Sequence, residues 1–398
     1  MSKEAILKKD AAGSIPSEAE LLARAQALVP ALRARAEDCQ AQRMVPAVTI
    51  EEFNKAGFFK ILQAKRYGGY EMAPTTLFKV LHTIASGCPS SGWVLMVIAV
   101  HNLELEYMDP RCSEDVWGKD PEVRLSSSYV PFGKVTKVDG GFKLAGRWHY
   151  SSGSDHCQWA LLGGMVDVGY EFPEWKAFMV PRTDYTIDHD SWKVFGLAGS
   201  GSKDIVLNGE VFVPEYRAHT FVPARGQLPP PKPAHLPANF KYPFDQVFRY
   251  AVASVNLGMA VGALEVFREQ MRGRTSHFNS NELVTKNPWM GHRVGVADVK
   301  VACAKALIDA DFAEMRRMID AGIDVTTEQN PHYSYHATYV GQLAEESVHY
   351  LFKATGARGM LNSNLLQMYL RDVQAGTRHI VMDPDSNSVI AGGHYLGG

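Results

Sequence analysis

The chain of 398 residues has little cysteine, no charge bias and no long apolar stretch. Its five cysteines (Cys39, Cys88, Cys112, Cys157 and Cys303) are odd in number and far apart. That excludes a disulfide framework and a CxxC metal site, and it predicts a reducing, cytoplasmic setting. Lys and Arg number 41 against 43 Asp and Glu, a formal net charge of −2, with both signs spread along the chain. No basic stripe is present, so nucleic acid is not an expected partner. Met1-Ser2-Lys3-Glu4-Ala5 carries no apolar core of a secretion leader. The longest apolar run, Trp93 to Val100, falls well short of the ~20 residues that span a bilayer, so it predicts a buried helix or the floor of a pocket and no membrane partner.

Hydrophobic residues make up 46% of the chain, enough for two or three packed regions. Three zones separate by period. From about Ser17 to Asp109 the spacing is helical, as in Leu21, Leu22, Ala25, Leu28, Val29, Leu32 and Ala36. Pro30 is expected to bend or divide that helix, and Thr49-Ile50-Glu51-Glu52 reads as a helix start with Thr49 as cap. From about Leu125 to Val213 the pattern is strand-like. Val135–Val138 and Phe142–Leu144 flank an Asp139-Gly140 turn, which predicts a hairpin. Trp159–Leu162, Ala177–Val180 and Asp204–Leu207 predict further strands, and Asn208-Gly209-Glu210 another turn before Val211–Pro214. Pro223, Pro229, Pro230, Pro231, Pro233, Pro237 and Pro243 mark an irregular connector. Beyond it the helical period returns, with Tyr339, Val340, Leu343, Ala344, Ser347, Val348, Leu351 and Phe352 on one face. The class is α+β, divided as helices over 1–120, a β domain over 121–222 and helices over 223–398.

Taken singly, the candidate motifs favour ordinary structure. Gly196-Leu197-Ala198-Gly199-Ser200-Gly201 resembles a phosphate loop, but a strand follows it instead of a helix, which favours a turn between strands. Ser154-Asp155-His156 holds the residue types of a hydrolase triad, but chain neighbours cannot form that relay. His332 and His336 lack a third ligand at matching spacing, so no metal site is expected. His101, at the end of the apolar run, and His379, in the last helical zone, each read alone as structural histidines.

Read together, the motifs say more. Arg43-Met44-Val45-Pro46, Ala56-Gly57-Phe58-Phe59 and Arg66-Tyr67-Gly68-Gly69-Tyr70-Glu71 are followed by Ser90-Ser91-Gly92-Trp93 and Ser126-Ser127-Ser128-Tyr129. Then come Gly146-Arg147-Trp148-His149-Tyr150-Ser151-Ser152-Gly153, Gly196 to Ser202, Val213-Pro214-Glu215 and Arg371-Asp372. The series, from about residue 20 to the C-terminus, resembles the group D flavin monooxygenases, which are the oxygenase components of two-component systems. Within that group the likeness is to the hydroxylases of 4-hydroxyphenylacetate and of a secosteroid phenol.

The resemblance implies an acyl-CoA dehydrogenase-like fold with an N-terminal helical domain, a central β-barrel-like domain and a C-terminal four-helix bundle, assembled as a homotetramer. It implies reduced FMN or FAD delivered by a separate flavin reductase, O2 as co-substrate, a C4a-hydroperoxide, and hydroxylation of a phenol-like aromatic substrate, polycyclic or steroid-derived ones included. Ser152 matches the hydroxyl that bonds flavin N5, and Trp93 and Tyr150 fall among the flavin-binding positions. Ser127 and His101 match residues that hold the substrate oxygen. His379 matches the active-site histidine of the C-terminal zone, either taking the phenol proton or steadying the peroxide. Arg274 is a flavin-phosphate ligand or a solvated charge; Gly356 and Gly359 let backbone approach a phosphate or end a helix.

Three rival functions are a true acyl-CoA dehydrogenase, a flavin-binding protein without activity, and a member of the same flavin family that oxygenates the nitrogen of an amino sugar or the sulfur of a thiophene. The first needs a carboxylate base, usually a Glu about eight residues beyond the Arg-Asp pair. Here Val373 to Met382 contains no acid, and His379 stands beside that position. The joint presence of His101, Ser127, Ser152 and His379 speaks against the second.

Overall fold

In a computed structural model the described residues are 14–170, 172–223, 232–233, 236–276 and 282–397. The first five residues and part of the proline-rich connector, on which two of the expectations above fall, lie outside them.

The N-terminal zone is helical. Helix α1 (Glu18–Ala34) opens on a capping box in which Ser17 and Glu20 satisfy each other's backbone N–H groups. It runs through Pro30 and stops at Arg35, where α2 (Ala36–Gln42) begins. The division comes five residues later than Pro30 alone would place it. Helix α3 (Ala47–Ala56) corrects a second expectation: Pro46 precedes it, and Thr49 lies buried in its first turn instead of capping it. Proline's fixed φ suits a helix start, so Pro46 sets the boundary. Helices α4 (Pro74–Gly87), α5 (Pro89–Glu104) and α6 (Pro110–Trp117) each open on proline at the first position. All 16 residues of α5 are buried, as the apolar run from Trp93 predicted.

Among the described residues the β module has nine strands: β1 (Leu125–Val138), β2 (Gly141–Ala145), β3 (Arg147–Ser151), β4 (Trp159–Val166), β5 (Glu174–Pro181), β6 (Tyr185–Asp188), β7 (Lys203–Leu207), β8 (Val211–Pro214) and β9 (Ala218–Val222). Six form one sheet in the order β8-β2-β1-β4-β5-β9, and three form another, β3-β7-β6. The predicted hairpin closes with Val138 paired to Gly141 across Asp139-Gly140. β1 and β4 run parallel; the other pairings are antiparallel. Between Ser128 and Gly133 the register of β1 shifts, a bulge that re-aims the strand beside the helices. Trp148 fills the space between the sheets, fully buried, with Phe142, Leu162, Phe178 and Ile205 in the same core, and its indole N–H donates to the Gly163 carbonyl at 2.7 Å.

After Val222 come α7 (Phe244–Met271), α8 (Pro288–Asp320), α9 (His332–Phe352), α10 (Leu365–Gly376) and α11 (Pro384–Tyr395). Helix α7 is long and apolar enough to cross a bilayer, but its apolar stretch is 89% buried inside the protein. One hydrophobic core joins the N-terminal helices to this bundle, through contacts such as Phe78 with Tyr250 and Phe312.

Gly133 has no room for a side chain: a Cβ there would stand 1.8 Å from the Trp148 ring. Gly133→Ala is therefore expected to destabilise the β module by about 1–3 kcal/mol, the usual cost of overpacking. The measurement is the shift in denaturant midpoint, followed by Trp148 fluorescence.

Candidate active site

Helix α5 enters between the β module and the bundle. Trp93, Val97, His101 and Glu104 are spaced by four, four and three residues, so they share one face. At its N-terminal end the Trp93 indole donates to Ser152 Oγ at 3.0 Å. Ser152 also meets Ser202 Oγ at 2.7 Å, and Ser202 meets Ser200 Oγ at 2.7 Å. Ser152 thus accepts from Trp93 and keeps one hydroxyl hydrogen to place. Gly153, at φ +67°, makes the turn after it, and a Cβ there would press 2.9 Å from Val94 of α5.

Two motifs explain how Ser202 arrives. The segment Gly196–Gly201 is a turn between β6 and β7, as expected. Asp372 of α10 accepts from the Leu197 N–H at 2.6 Å, and Arg371 donates to the Phe195 carbonyl at 2.7 Å. The Arg-Asp pair therefore latches the loop that delivers Ser202. Burial pushes the Asp372 carboxyl up to about 7, against the opposing pull of the Leu197 N–H.

The same α5 face leads to His379. Its ring centroid lies 5.9 Å from Trp93 and 5.6 Å from Phe248 of α7. The backbone N–H of Val381 donates to His379 Nδ1 at 3.4 Å. That fixes the neutral tautomer with hydrogen on Nε2. Burial, with Arg249 nearby, lowers the imidazole to about 4, so the ring stays neutral at ordinary pH.

Farther along, Phe248 stacks on His101 with centroids 6.4 Å apart. His101 has no solvent exposure, and its Nδ1 lies 2.9 Å from Glu104 Oε2 and 3.1 Å from the Tyr129 hydroxyl. Ser127 and Tyr129, two apart on β1, share a strand face. The structure therefore gathers Trp93, His101, Ser127, Ser152 and His379 around the α5 face.

Other sequence candidates lie elsewhere. Tyr150 is 62% exposed at φ +71°, its ring on His149 and Trp192. Arg274, Gly356 and Gly359 come together, since Arg274 Nη1 donates to the Thr355 carbonyl at 3.4 Å and Gly359 packs on Thr355. They sit beyond the far end of α7, however. From Phe248 to Met271 on that helix is about 35 Å at ~1.5 Å per residue, more than one flavin nucleotide spans. Ser154-Asp155-His156 forms no relay: Asp155 is paired with Lys203 at 2.7 Å. His336 meets Asp311 at 3.0 Å.

Sequence reasoning missed Glu104, Phe248 and Arg249, and quoted Ser202 and Tyr129 only as parts of motifs. Glu104 had a signal: an acid closing an apolar helix, three residues after His101. Phe248 and Arg249 had none, since only the fold brings α7 to this place.

A helical frame around a β module, with a hydroxyl, an imidazole N–H and an indole gathered at one face of α5, fits the acyl-CoA dehydrogenase type of flavin-using oxidoreductase. Residues 250–384 match the family described as acyl-CoA dehydrogenase, C-terminal domain. The chain is 33% identical over 369 residues to the flavin-dependent monooxygenase, oxygenase subunit HsaA, of Rhodococcus jostii, covering 93% of this chain and 96% of that one. It is 28% identical to the oxygenase component of p-hydroxyphenylacetate 3-hydroxylase from Acinetobacter baumannii, over 96% of this chain and 90% of that one. The HsaA monooxygenase crystal structure from M. tuberculosis superposes with a TM-score of 0.86 at 30% identity, covering 96% and 98%. The chain belongs to the oxygenase components of flavin-dependent monooxygenases, enzymes that use a flavin and work with a separate reductase.

Two outcomes follow. Ser152→Ala should retain flavin binding while product per oxygen consumed falls roughly tenfold, the scale of one strong hydrogen bond; oxygen uptake against product yield measures it. His379 takes up its proton at about 4 when folded and at an ordinary 6.5 when unfolded, so the unfolded chain binds more protons between those values. Stability should fall as pH drops from 6.5 towards 4, with His82, also held down to about 4 by burial, acting in the same window. Denaturant midpoints across that range should decline less steeply for His379→Gln.

Proposed function

We propose that this oxygenase hydroxylates a phenol-like aromatic compound at the ring carbon next to the phenol oxygen, with polycyclic and steroid-derived phenols inside its range. The observation that carries the reading is the buried His101 Nε2, which has no hydrogen-bond partner among the described residues. A buried imidazole nitrogen without a partner costs about 1–3 kcal/mol, which a substrate hydroxyl would recover. Ser127, Phe248 and the α5 face supply the rest of an aromatic site. The relatives' names point the same way: p-hydroxyphenylacetate 3-hydroxylase and the resorcinol hydroxylase of a Rhizobium strain both act on phenols.

Reduced FMN or FAD, when bound, supplies the electrons that activate O2 for transfer of one oxygen atom. Ser152, held by Trp93 and the Ser200–Ser202 chain, would offer its hydroxyl hydrogen to the flavin. His379 offers its Nε2–H from a ring that stays neutral. That tautomer makes it a donor and leaves substrate deprotonation to His101. A homotetramer gives the Arg274, Gly356 and Gly359 cluster a role, since one copy's cluster would serve the flavin of another. The four buried free thiols, Cys39, Cys88, Cys112 and Cys157, support a cytoplasmic setting.

The test is a screen of simple and polycyclic phenols with reduced FMN or FAD, O2 and a generic reductase, reading hydroxylated product by mass. One added oxygen atom beside the phenol oxygen is expected, with no NADH consumed when the reductase is left out. His101→Asn should lower product formation by roughly 10²–10⁴-fold, the usual contribution of a positioned base. Oxygenation only of non-phenolic substrates, or NADH oxidation by the chain alone, overturns the reading.

A further inference from the structure

We propose that Glu104, with Tyr129 as its second arm, is the positioning residue that makes His101 the proton acceptor for the substrate hydroxyl. This rests on the phenol reading above, and it assigns a task to a carboxylate outside the motifs that carried the resemblance.

The carboxylate is fully buried, and its Oε2 serves two groups at once. Tyr129 donates its hydroxyl hydrogen to that oxygen, and His101 Nδ1 lies 2.9 Å away. Tyr129 has a single hydrogen, so its oxygen, 3.1 Å from His101 Nδ1, can only accept from that nitrogen. Both neighbours of Nδ1 are acceptors. The hydrogen therefore sits on Nδ1, and the lone pair sits on Nε2, the nitrogen without a partner. Tyr129 keeps its own hydrogen, because burial and then the Glu104 charge push its hydroxyl well above the ordinary range. His379 has the opposite tautomer, set by Val381. The two histidines that contact Phe248 are thus an acceptor and a donor.

Other titratable groups around Glu104 do not compete for this role. His219 of β9 is affected by the Glu104 charge, but burial dominates and lowers it, so it stays neutral. Lys176 of β5 is engaged at 2.9 Å by Glu174. With Tyr129 keeping its own hydrogen, His101 is left as the group whose added proton this carboxylate can balance. In the reaction the substrate O–H bond breaks and an N–H bond forms at His101 Nε2. The imidazolium is balanced by the Glu104 carboxylate. One oxygen atom bonds to the ring carbon, that carbon's hydrogen leaves as a proton and the second oxygen departs as water, and the proton on His101 returns to the ring oxygen as the product regains aromaticity.

The probe is 4-nitrophenol, whose phenolate is yellow, titrated with pH on the full chain. In the wild type the bound probe should ionise at least one pH unit below the free probe. In Glu104→Gln, which keeps an acceptor for Nδ1–H but removes the charge, the bound probe's ionisation constant should drop about tenfold, equivalent to one pKa unit. His101→Asn should lose as much, and the double variant no more, as expected of residues acting as a unit. Tyr129→Phe, a milder change, should lose part of the shift and serves where Glu104→Gln does not fold, as judged by circular dichroism. Overturning results are a wild type that binds the probe without ionising it, a Glu104→Gln that ionises it like the wild type, or an unchanged Tyr129→Phe. A wild type that ionises the probe yet yields no hydroxylated phenol with reduced flavin rejects the phenol reading alone and leaves the Glu104 assignment standing.

Discussion

Helix α5 has no solvent-facing side, and most of the site follows from that constraint. A helix buried all round must be apolar or must satisfy each polar group internally. Most of α5 takes the first course, through Val94, Leu95, Met96, Ile98, Ala99 and Val100. One face largely takes the second, with His101 Nε2 and Glu104 Oε1 left without partners among the described residues. Trp93 finds Ser152, and His101 finds Glu104 and Tyr129. Because the spacing is helical, these polar contacts lie in a row, and the β module and the bundle are drawn to the same line.

The surrounding elements serve that row. The bulge in β1 after Ser128 brings Tyr129 to the helix. The latch from Arg371 and Asp372 fixes the loop whose Ser202 reaches Ser152. These two residues, which in a dehydrogenase reading would only have pointed to a missing carboxylate, act here through backbone contacts. The rigidity is useful, since a donor works best when it is held in place before the charge it serves develops.

Much of this was legible in the sequence. The change of hydrophobic period marked the helical, strand and helical zones, and Asp139-Gly140 marked its hairpin, because those signals are local. The start of α3 was misread at Thr49, since a Thr-Ile-Glu-Glu string looks the same whether Thr49 caps a helix or lies buried in its first turn. The site was legible in part: His101, Ser127, Ser152 and His379 all reach the α5 face. Phe248 and Arg249 were not legible, because their relevance depends on how α7 crosses α5, a long-range packing fact that no short window contains. The separation of Arg274 from His379 was hidden for the same reason: residue type suggests a phosphate ligand, and only the length of α7 shows how far away it stands.

The two histidines show why residue identity alone left their roles open. Both are imidazoles in apolar surroundings, and both touch Phe248. Their difference lies in what each Nδ1 meets. A backbone N–H at His379 demands a lone pair there, which puts the hydrogen on Nε2. A carboxylate oxygen at His101 demands a hydrogen, which leaves Nε2 with its lone pair. One neighbour thus makes a donor and the other an acceptor, and the proposed oxygen transfer to a phenol calls for one of each. The donor can serve the activated oxygen while it carries negative charge, and the acceptor can draw electron density into the ring by taking the phenol proton. Had both rings carried the same tautomer, one of those demands would have gone unmet. The assignment of roles is therefore written in the neighbours, Val381 on one side and Glu104 on the other, more than in the histidines themselves.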